Sequence, residues 1–154
     1  LSDSALAQAR DDATSRRLPN VTFERRDLSG FGDLAEPDRF DFITAFDAIH
    51  DQATPQSVLD GIHRTLEPGG IFLMQDIRAS SDLAQNLDHP IAPLLYTLST
   101  MHCMTVSLSQ GGAGLGTMWG EELALEMLGK AGFTNIEVHQ LDHDFQNNFY
   151  VIRT

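Results

Sequence analysis

The chain of 154 residues has one cysteine, few basic residues and no apolar run approaching the roughly 20 needed to cross a bilayer; each shortage removes a class of protein. Cys103 alone forms no internal disulfide, and one thiol beside scattered histidines does not make a zinc site. No metal is therefore expected, and a reducing, cytoplasmic setting fits best. Ten basic residues against twenty-two acidic ones leave a formal charge of −12, which repels phosphate backbones and anionic lipid head groups. Neither nucleic acid nor a membrane is an expected partner. Internal repeats, low-complexity tracts and a dividing linker are also missing, so the whole chain reads as one folded domain. Its start, Leu1-Ser2-Asp3-Ser4, has neither an initiator methionine nor the basic and apolar regions of a signal peptide, and reads as a chain entered midway.

What is present alternates helical and strand periodicities. Ser2 or Ser4 caps a helix running to about Arg17 with Leu6, Ala9 and Ala13 on one face. After Leu18-Pro19-Asn20, the segment Val21 to Arg26 alternates apolar and polar residues as a half-buried strand does, and Asp27 closes it. Leu28 to Arg39, with two glycines and a proline, reads as a loop with room for a short turn of helix. Phe40 to Phe46 is almost continuously apolar or β-branched, which predicts an interior strand covered on both faces. Thr54-Pro55 then pairs a capping residue with proline at the first helical position, and Val58, Leu59, Ile62 and Leu66 recur at helical spacing. The turn Glu67-Pro68-Gly69-Gly70 leads into a second buried strand, Ile71 to Asp76. Two strands joined by one helix form a βαβ crossover and hence a parallel pair, so the fold class is α/β.

Ser80 to Trp119 is too long for a plain connection and reads as a functional or mobile insertion. Gly120-Glu121-Glu122 opens a last amphipathic helix, and Ile136 to Leu141 with Phe145 to Arg153 predict an antiparallel hairpin around Asp142-His143-Asp144.

The tracts Phe46-Asp47-Ala48-Ile49-His50-Asp51-Gln52 and Arg64-Thr65-Leu66-Glu67-Pro68-Gly69-Gly70, the latter followed by a strand ending in Asp76, resemble class I S-adenosylmethionine-dependent methyltransferases. Asn20-Val21-Thr22-Phe23 ending in Asp27 is similar to that family's adenine-binding strand end, and Leu128-Gly129-Lys130-Ala131-Gly132-Phe133 to its last helix-to-strand turn. Within the family, the likeness is greatest to small-molecule enzymes that carry an N-terminal winged-helix dimerisation domain, so a homodimer is expected. The resemblance implies a Rossmann-like sheet, mostly parallel, with a C-terminal antiparallel hairpin and its N-terminal strands missing. The family's first strand, GxGxG loop, first helix and second strand have no counterpart here; the resemblance places them upstream of Leu1, and the chain by itself is expected to bind cofactor weakly or not at all. The absent strands belong between Val21–Arg26 and Phe40–Phe46. Those two segments are therefore expected either to pair directly or to associate with another chain.

Ligands in open α/β sheets gather at strand carboxyl ends. The resemblance gives Asp27 and Leu28 to adenine and Phe46 and Asp47 to the sulfonium end of S-adenosylmethionine; as a strand-end residue, Asp27 could equally cap a turn. His50 is a candidate general base, its ordinary pKa allowing proton transfer near neutrality, or else a histidine bonded to a neighbour at a helix start. Asp51 reads equally as no more than a helix-capping residue. Asp76, Tyr96, His102 and Trp119 are candidate contacts for a small-molecule acceptor, with Met101 and Met104 beside them in a lid or in ordinary core. His89, His139 and His143 read as structural or surface residues. Methyl transfer asks mainly for alignment, so a fixed catalytic residue is not obligatory. Two rival readings are a nicotinamide-dependent oxidoreductase, disfavoured by the lack of a Tyr-x-x-x-Lys pair, and a non-catalytic interaction domain.

Overall fold

In the computed structural model, which describes residues 2–154, Ser2 Oγ accepts a hydrogen bond from the Ala5 amide at 3.3 Å and caps α1, Asp3–Ser15. Leu6, Ala9 and Ala13 form its half-buried face, and no residue of α1 is fully buried. The helix is held to the following segment by Arg10, which donates to the Phe23 carbonyl at 3.1 Å, and by an exposed Arg25–Asp3 ion pair of 2.8 Å.

The strand expected over Val21 to Arg26 does not form, and the direct pairing expected between it and the Phe40 segment is not made. An extended segment becomes a strand only when a second backbone takes up its amides and carbonyls, and among the described residues no second strand lies beside this one. The loop that follows does contain its turn of helix, α2, Phe31–Leu34.

β1, Phe40–Phe46, connects through α3, Pro55–Thr65, to β2, Leu66–Ile77, and the two strands pair in parallel from Phe42–Ile71 to Phe46–Gln75. Pro55 occupies the first turn of α3 as expected, but the Thr54 hydroxyl donates to the Ser29 carbonyl at 2.6 Å instead of capping the helix, and so ties the loop before α2 to the site. The proline-glycine-glycine turn is taken up into β2, with Gly69 at φ +84° where a side chain would be strained.

Beyond β2 lie a 3₁₀ turn at Leu83–Asn86, α4 at Ala92–Leu98, a π-helical turn at Ser99–Cys103 and α5 at Met104–Ser109. Then come α6, Glu121–Lys130, and the predicted hairpin, β3, Asn135–Leu141, and β4, Asp144–Arg153. β4 inserts antiparallel beside β2, and β3 takes the far edge, giving the order β1-β2-β4-β3.

Alternate residues of this sheet make the core. Phe72, Met74, Tyr150 and Ile152 meet Val58, Leu59 and Ile62 of α3 and Ala124 and Leu128 of α6. Both helices therefore cover the same face, and Ile43 and Ala45 turn towards them. The expectation that β1 is covered on both faces is corrected here: Phe40, Phe42 and Phe46 are 44%, 54% and 55% exposed, because no helix covers the other side and no strand flanks the edge among the described residues.

Candidate functional site

Since β1 and β2 are parallel, their carboxyl ends open on one side of the sheet, where Asp47 follows Phe46 and Asp76 precedes Ile77. Asp47 has φ +45°, a left-handed conformation uncommon outside glycine, and its strain is offset by two contacts with the neighbouring strand. Its amide donates to the Gln75 carbonyl at 3.0 Å, and Gln75 Nε2 donates to its carboxylate at 3.2 Å. Partial burial raises the Asp47 pKa, the Gln75 bond opposing it.

This bend delivers His50 against the end of β2. The residue is 3% exposed, with Nδ1 2.7 Å from Oδ1 of Asp76, itself 1% exposed. The same oxygen accepts the Ile77 amide at 2.9 Å, while Asp76 Oδ2 is buried without a partner. Burial opposes charging the ring, but the Asp76 hydrogen bond and charge, followed by the charges of Asp51 and Asp47, outweigh it and raise the His50 pKa above its ordinary 6.5. With Nδ1–H held by a carboxylate, the neutral ring leaves Nε2 as the acceptor. Asp51 Oδ1 lies 3.5 Å from Nε2 and is buried without a hydrogen-bond partner.

Turned from Asp76, the ring borders a cavity of about 280 Å³. Ile77, Leu95 and Leu98 supply apolar walls; Asp47, Asp51, His102, Cys103, Thr117 and Gln146 complete it. The π turn shapes the far wall. Ser99 Oγ accepts the Thr117 amide at 3.1 Å, and Cys103 Sγ lies 3.1 Å from Thr117 Oγ1, fixing the end of the glycine-rich loop to the helical run. Burial raises the Cys103 thiol pKa, so the thiol stays protonated and inert. Donor atoms of His50, Asp51 and Cys103 lie within 4.8 Å of one another, as do those of Asp47, His50 and Asp76. Hydrogen bonds to Asp76 and Thr117 already account for the imidazole Nδ1 and the thiol without an ion.

The structure thus gathers His50, Asp47, Asp76 and His102, with Asp76 behind the histidine and outside the cavity lining. Tyr96 and Trp119 do not line that cavity. The Tyr96 hydroxyl accepts from Asn86 Nδ2 at 2.9 Å, and Trp119 is 4% exposed in the main core. Met101 is 75% exposed and Met104 is half-buried. His139 bonds Glu137 at 3.2 Å on the surface, His143 is exposed in the hairpin turn, and His89 borders a separate polar recess.

Leu28 and Phe46 face a shared apolar groove of about 550 Å³ along β1. Asp27 stands in an adjoining polar recess with Asp51; Leu28 and Gln52 line both spaces. The Asp27 Oδ1 accepts the Ser29 hydroxyl at 2.7 Å and amide at 2.9 Å, which lowers its pKa. Gln52, Gln75, Cys103 and Thr117 enter the site without having been singled out by sequence. The first two sit beside chosen residues, in the His50 tract and before Asp76; nothing in the local pattern marks the other two.

A family model described as a methyltransferase domain matches residues 1–115. No curated protein sequence matches the chain. Among solved structures, an O-methyltransferase family protein from Burkholderia thailandensis superposes with TM-score 0.68 at 15% identity, over 96% of this chain and 40% of its own. A structure described as PigF with SAH gives 0.67 at 20%, over 99% and 41%, and the trans-methyltransferase CalH in complex with SAH gives 0.65 at 18%, over 97% and 41%. These likenesses establish a shared fold, of which the chain spans about 40% of each neighbour's length.

Proposed function

The chain belongs to a methyltransferase domain family, and from that premise we propose that it forms the acceptor-side part of an S-adenosylmethionine-dependent small-molecule methyltransferase with His50 as general base. The observation that carries this reading is the buried His50–Asp76 pair, 2.7 Å apart, whose histidine borders a cavity at the carboxyl ends of two parallel strands. PigF and CalH, described with SAH, support the choice of cofactor.

S-adenosylmethionine supplies a methyl group already activated on a sulfonium, so the chain's task is placement, exclusion of water and proton removal. Leu28 and Phe46 offer apolar surface to the cofactor, and Asp27 keeps Oδ2 outside its own turn for a hydrogen-bond donor. Asp27 and Leu28 fit the adenine end, and Phe46, further along the same groove and next to Asp47, the sulfonium end. The methionine end lacks its glycine turn here, because Gln110 to Gly116 follows α5 instead of a buried strand, so tight binding is not expected of the chain alone. Ile77, Leu95 and Leu98 hold the acceptor against His50. As the acceptor heteroatom takes the methyl group, its proton passes to Nε2, and Asp76 stabilises the resulting imidazolium through Nδ1. Asp76 is thus a positioning residue.

A homodimer in a reducing, cytoplasmic setting belongs to the same reading, supported by the exposed phenylalanine edge of β1 and the buried free thiol of Cys103. No helix among the described residues is long and apolar enough to cross a membrane. A domain kept only for interaction would have no use for a buried, half-satisfied carboxylate behind a histidine at a cavity wall.

Calorimetric titration of S-adenosylmethionine and SAH into the chain, and into the protein extended upstream in its gene, tests the assignment. Tight binding restricted to the extended form is expected; binding by neither removes the cofactor.

A further inference from the structure

The helical run from α4 to α5 is packed the wrong way round for its composition. Towards the body of the protein it turns Ala92, Leu95, Ser99, Cys103 and Ser107. Hydrogen bonds hold that side in place: Ser107 Oγ donates to the Gln52 carbonyl at 3.0 Å and accepts the Gly114 amide at 3.1 Å, as Ser99 Oγ accepts that of Thr117. Towards solvent the run shows Leu94, Leu98 and Val106, which are 54%, 49% and 39% exposed, with Met101 beside them. Small and polar residues inside with large apolar ones outside reverse the pattern of a surface helix, and mark a face that is itself covered.

The π turn draws this face into a row. Residues four apart in an α-helix drift around the axis by about 40° per step. The wider turn at Ser99–Cys103 takes up that drift, so Leu94, Leu98, His102 and Val106 line up, as the buried residues four apart do on the other side. Although the chain carries a charge of −12, no charged residue lies between Asp88 and Glu121. A second copy laid on the row therefore meets no like charge at the contact, and the lack of lysine and arginine removes what would anchor the run on anionic lipid. Reversing the row sets apolar against apolar at both ends: Leu94 meets Val106 of an antiparallel copy, and Leu98 meets its His102. Leu98 and His102 are both exposed and both border the cavity beside His50, so they stand on its rim.

We infer that two copies of this chain pair antiparallel through this row, about a twofold axis between Leu98 and His102, and that each copy closes the other's acceptor cavity with its own His102. The inference deepens the homodimer and the cavity of the methyltransferase reading, on which it rests, by giving them one surface.

The chain itself serves for the test. Sedimentation at low salt should show a dimer for the wild type and for Phe42→Glu, which leaves this row intact, and a monomer for Leu94→Glu. Leu94 is exposed, and circular dichroism checks that the variant is folded. A short bismaleimide then reads the register. Leu94→Cys and Val106→Cys should each crosslink poorly alone, and their mixture should give a covalent dimer; the wild type, whose only thiol is the buried Cys103, is the blank. Cys103 also reports on the cavity it lines, and N-ethylmaleimide should modify it more slowly in the wild-type dimer than in Leu94→Glu. A monomeric wild type, a dimer that survives Leu94→Glu, or single variants that crosslink as well as the mixture overturns the pairing. Binding of the wild type, but not of Leu94→Glu, to phosphatidylcholine vesicles in place of dimer formation also overturns it and gives the row to lipid. Loss of the crosslink in an upstream-extended form overturns it as well, by placing the protein's own chain over the row. Equal thiol rates in dimer and monomer overturn the closed cavity. None of these readouts involves cofactor or methyl transfer, so the pairing can fail while the calorimetric titration succeeds, and the reverse.

Discussion

His50 is buried yet carries a raised pKa, and the sign of that shift fixes how the protein should respond to pH. Burial alone would lower it; the Asp76 hydrogen bond and charge reverse the effect. A histidine whose folded pKa exceeds its unfolded one adds stability that is complete below about 6.5 and lost as pH rises through the elevated value. Urea midpoints of wild type and His50→Gln should therefore differ most near pH 6 and converge towards pH 9. A gap that widens with pH would show that Asp76 does not hold the imidazolium. On the proposed mechanism the base must start neutral, so the rate of methyl transfer by an upstream-extended form should fall as pH drops through that same elevated value. His50→Gln should lower kcat by about 10²- to 10⁴-fold and abolish this acid limb. Asp76→Asn should retain part of the activity while moving the limb to lower pH, since it removes the charge and leaves the ring. A purely structural Asp76 would change stability without moving the limb.

At the level of elements, two glycines fix how the helices dock. A Cβ on Gly61 would stand 2.3 Å from Phe31 Cδ1, so α3 accepts the α2 ring only where a side chain is missing. Gly61→Ala should cost about 1–3 kcal/mol in urea denaturation, from overpacking at that contact. Gly120, at φ +86° and ψ 157°, would place a Cβ 2.1 Å from the Ser81 amide nitrogen. There Ser81 caps α6 from across the chain, its Oγ accepting the Leu123 amide at 3.0 Å and donating to the Trp119 carbonyl at 2.8 Å. Backbone strain and overlap together predict a loss of about 2–4 kcal/mol for Gly120→Ala. The elements legible in the sequence were those whose signal is local: the Ser2 cap, Pro55 at a helix start, and the two strands that alternate around Asp142-His143-Asp144. Val21 to Arg26 failed because a strand is a relation between two segments and local alternation describes only one. The site divides the same way. His50 and Asp76 were found from strand ends, but their 2.7 Å contact depends on the parallel register, and the Cys103–Thr117 wall depends on a π turn that no residue pattern announces.

For the molecule as a whole, the consequence of spanning about 40% of its neighbours' length is visible in the sheet. One face is filled by α3 and α6; on the other, Phe42 and Phe46 stand in register with Ile71 and Gln75, and Leu73 with Val151, with no helix over them among the described residues. The outer edge of β1 has no partner strand among the described residues, and its three phenylalanines are each more than 40% exposed. An unpaired apolar edge is both a template for another backbone and a surface that water leaves readily. The charge of −12 opposes close approach of two copies, which makes the balance salt-dependent. Sedimentation of the 154-residue chain should therefore show concentration-dependent association that strengthens as salt screens the charge, together with binding of a hydrophobic dye. Phe42→Glu should reduce both, because it places a further negative charge in the centre of the patch. If the chain stays monomeric at all salt concentrations and Phe42→Glu leaves dye binding unchanged, the β1 face is not an associating surface, and the proposed homodimer loses the support of that edge.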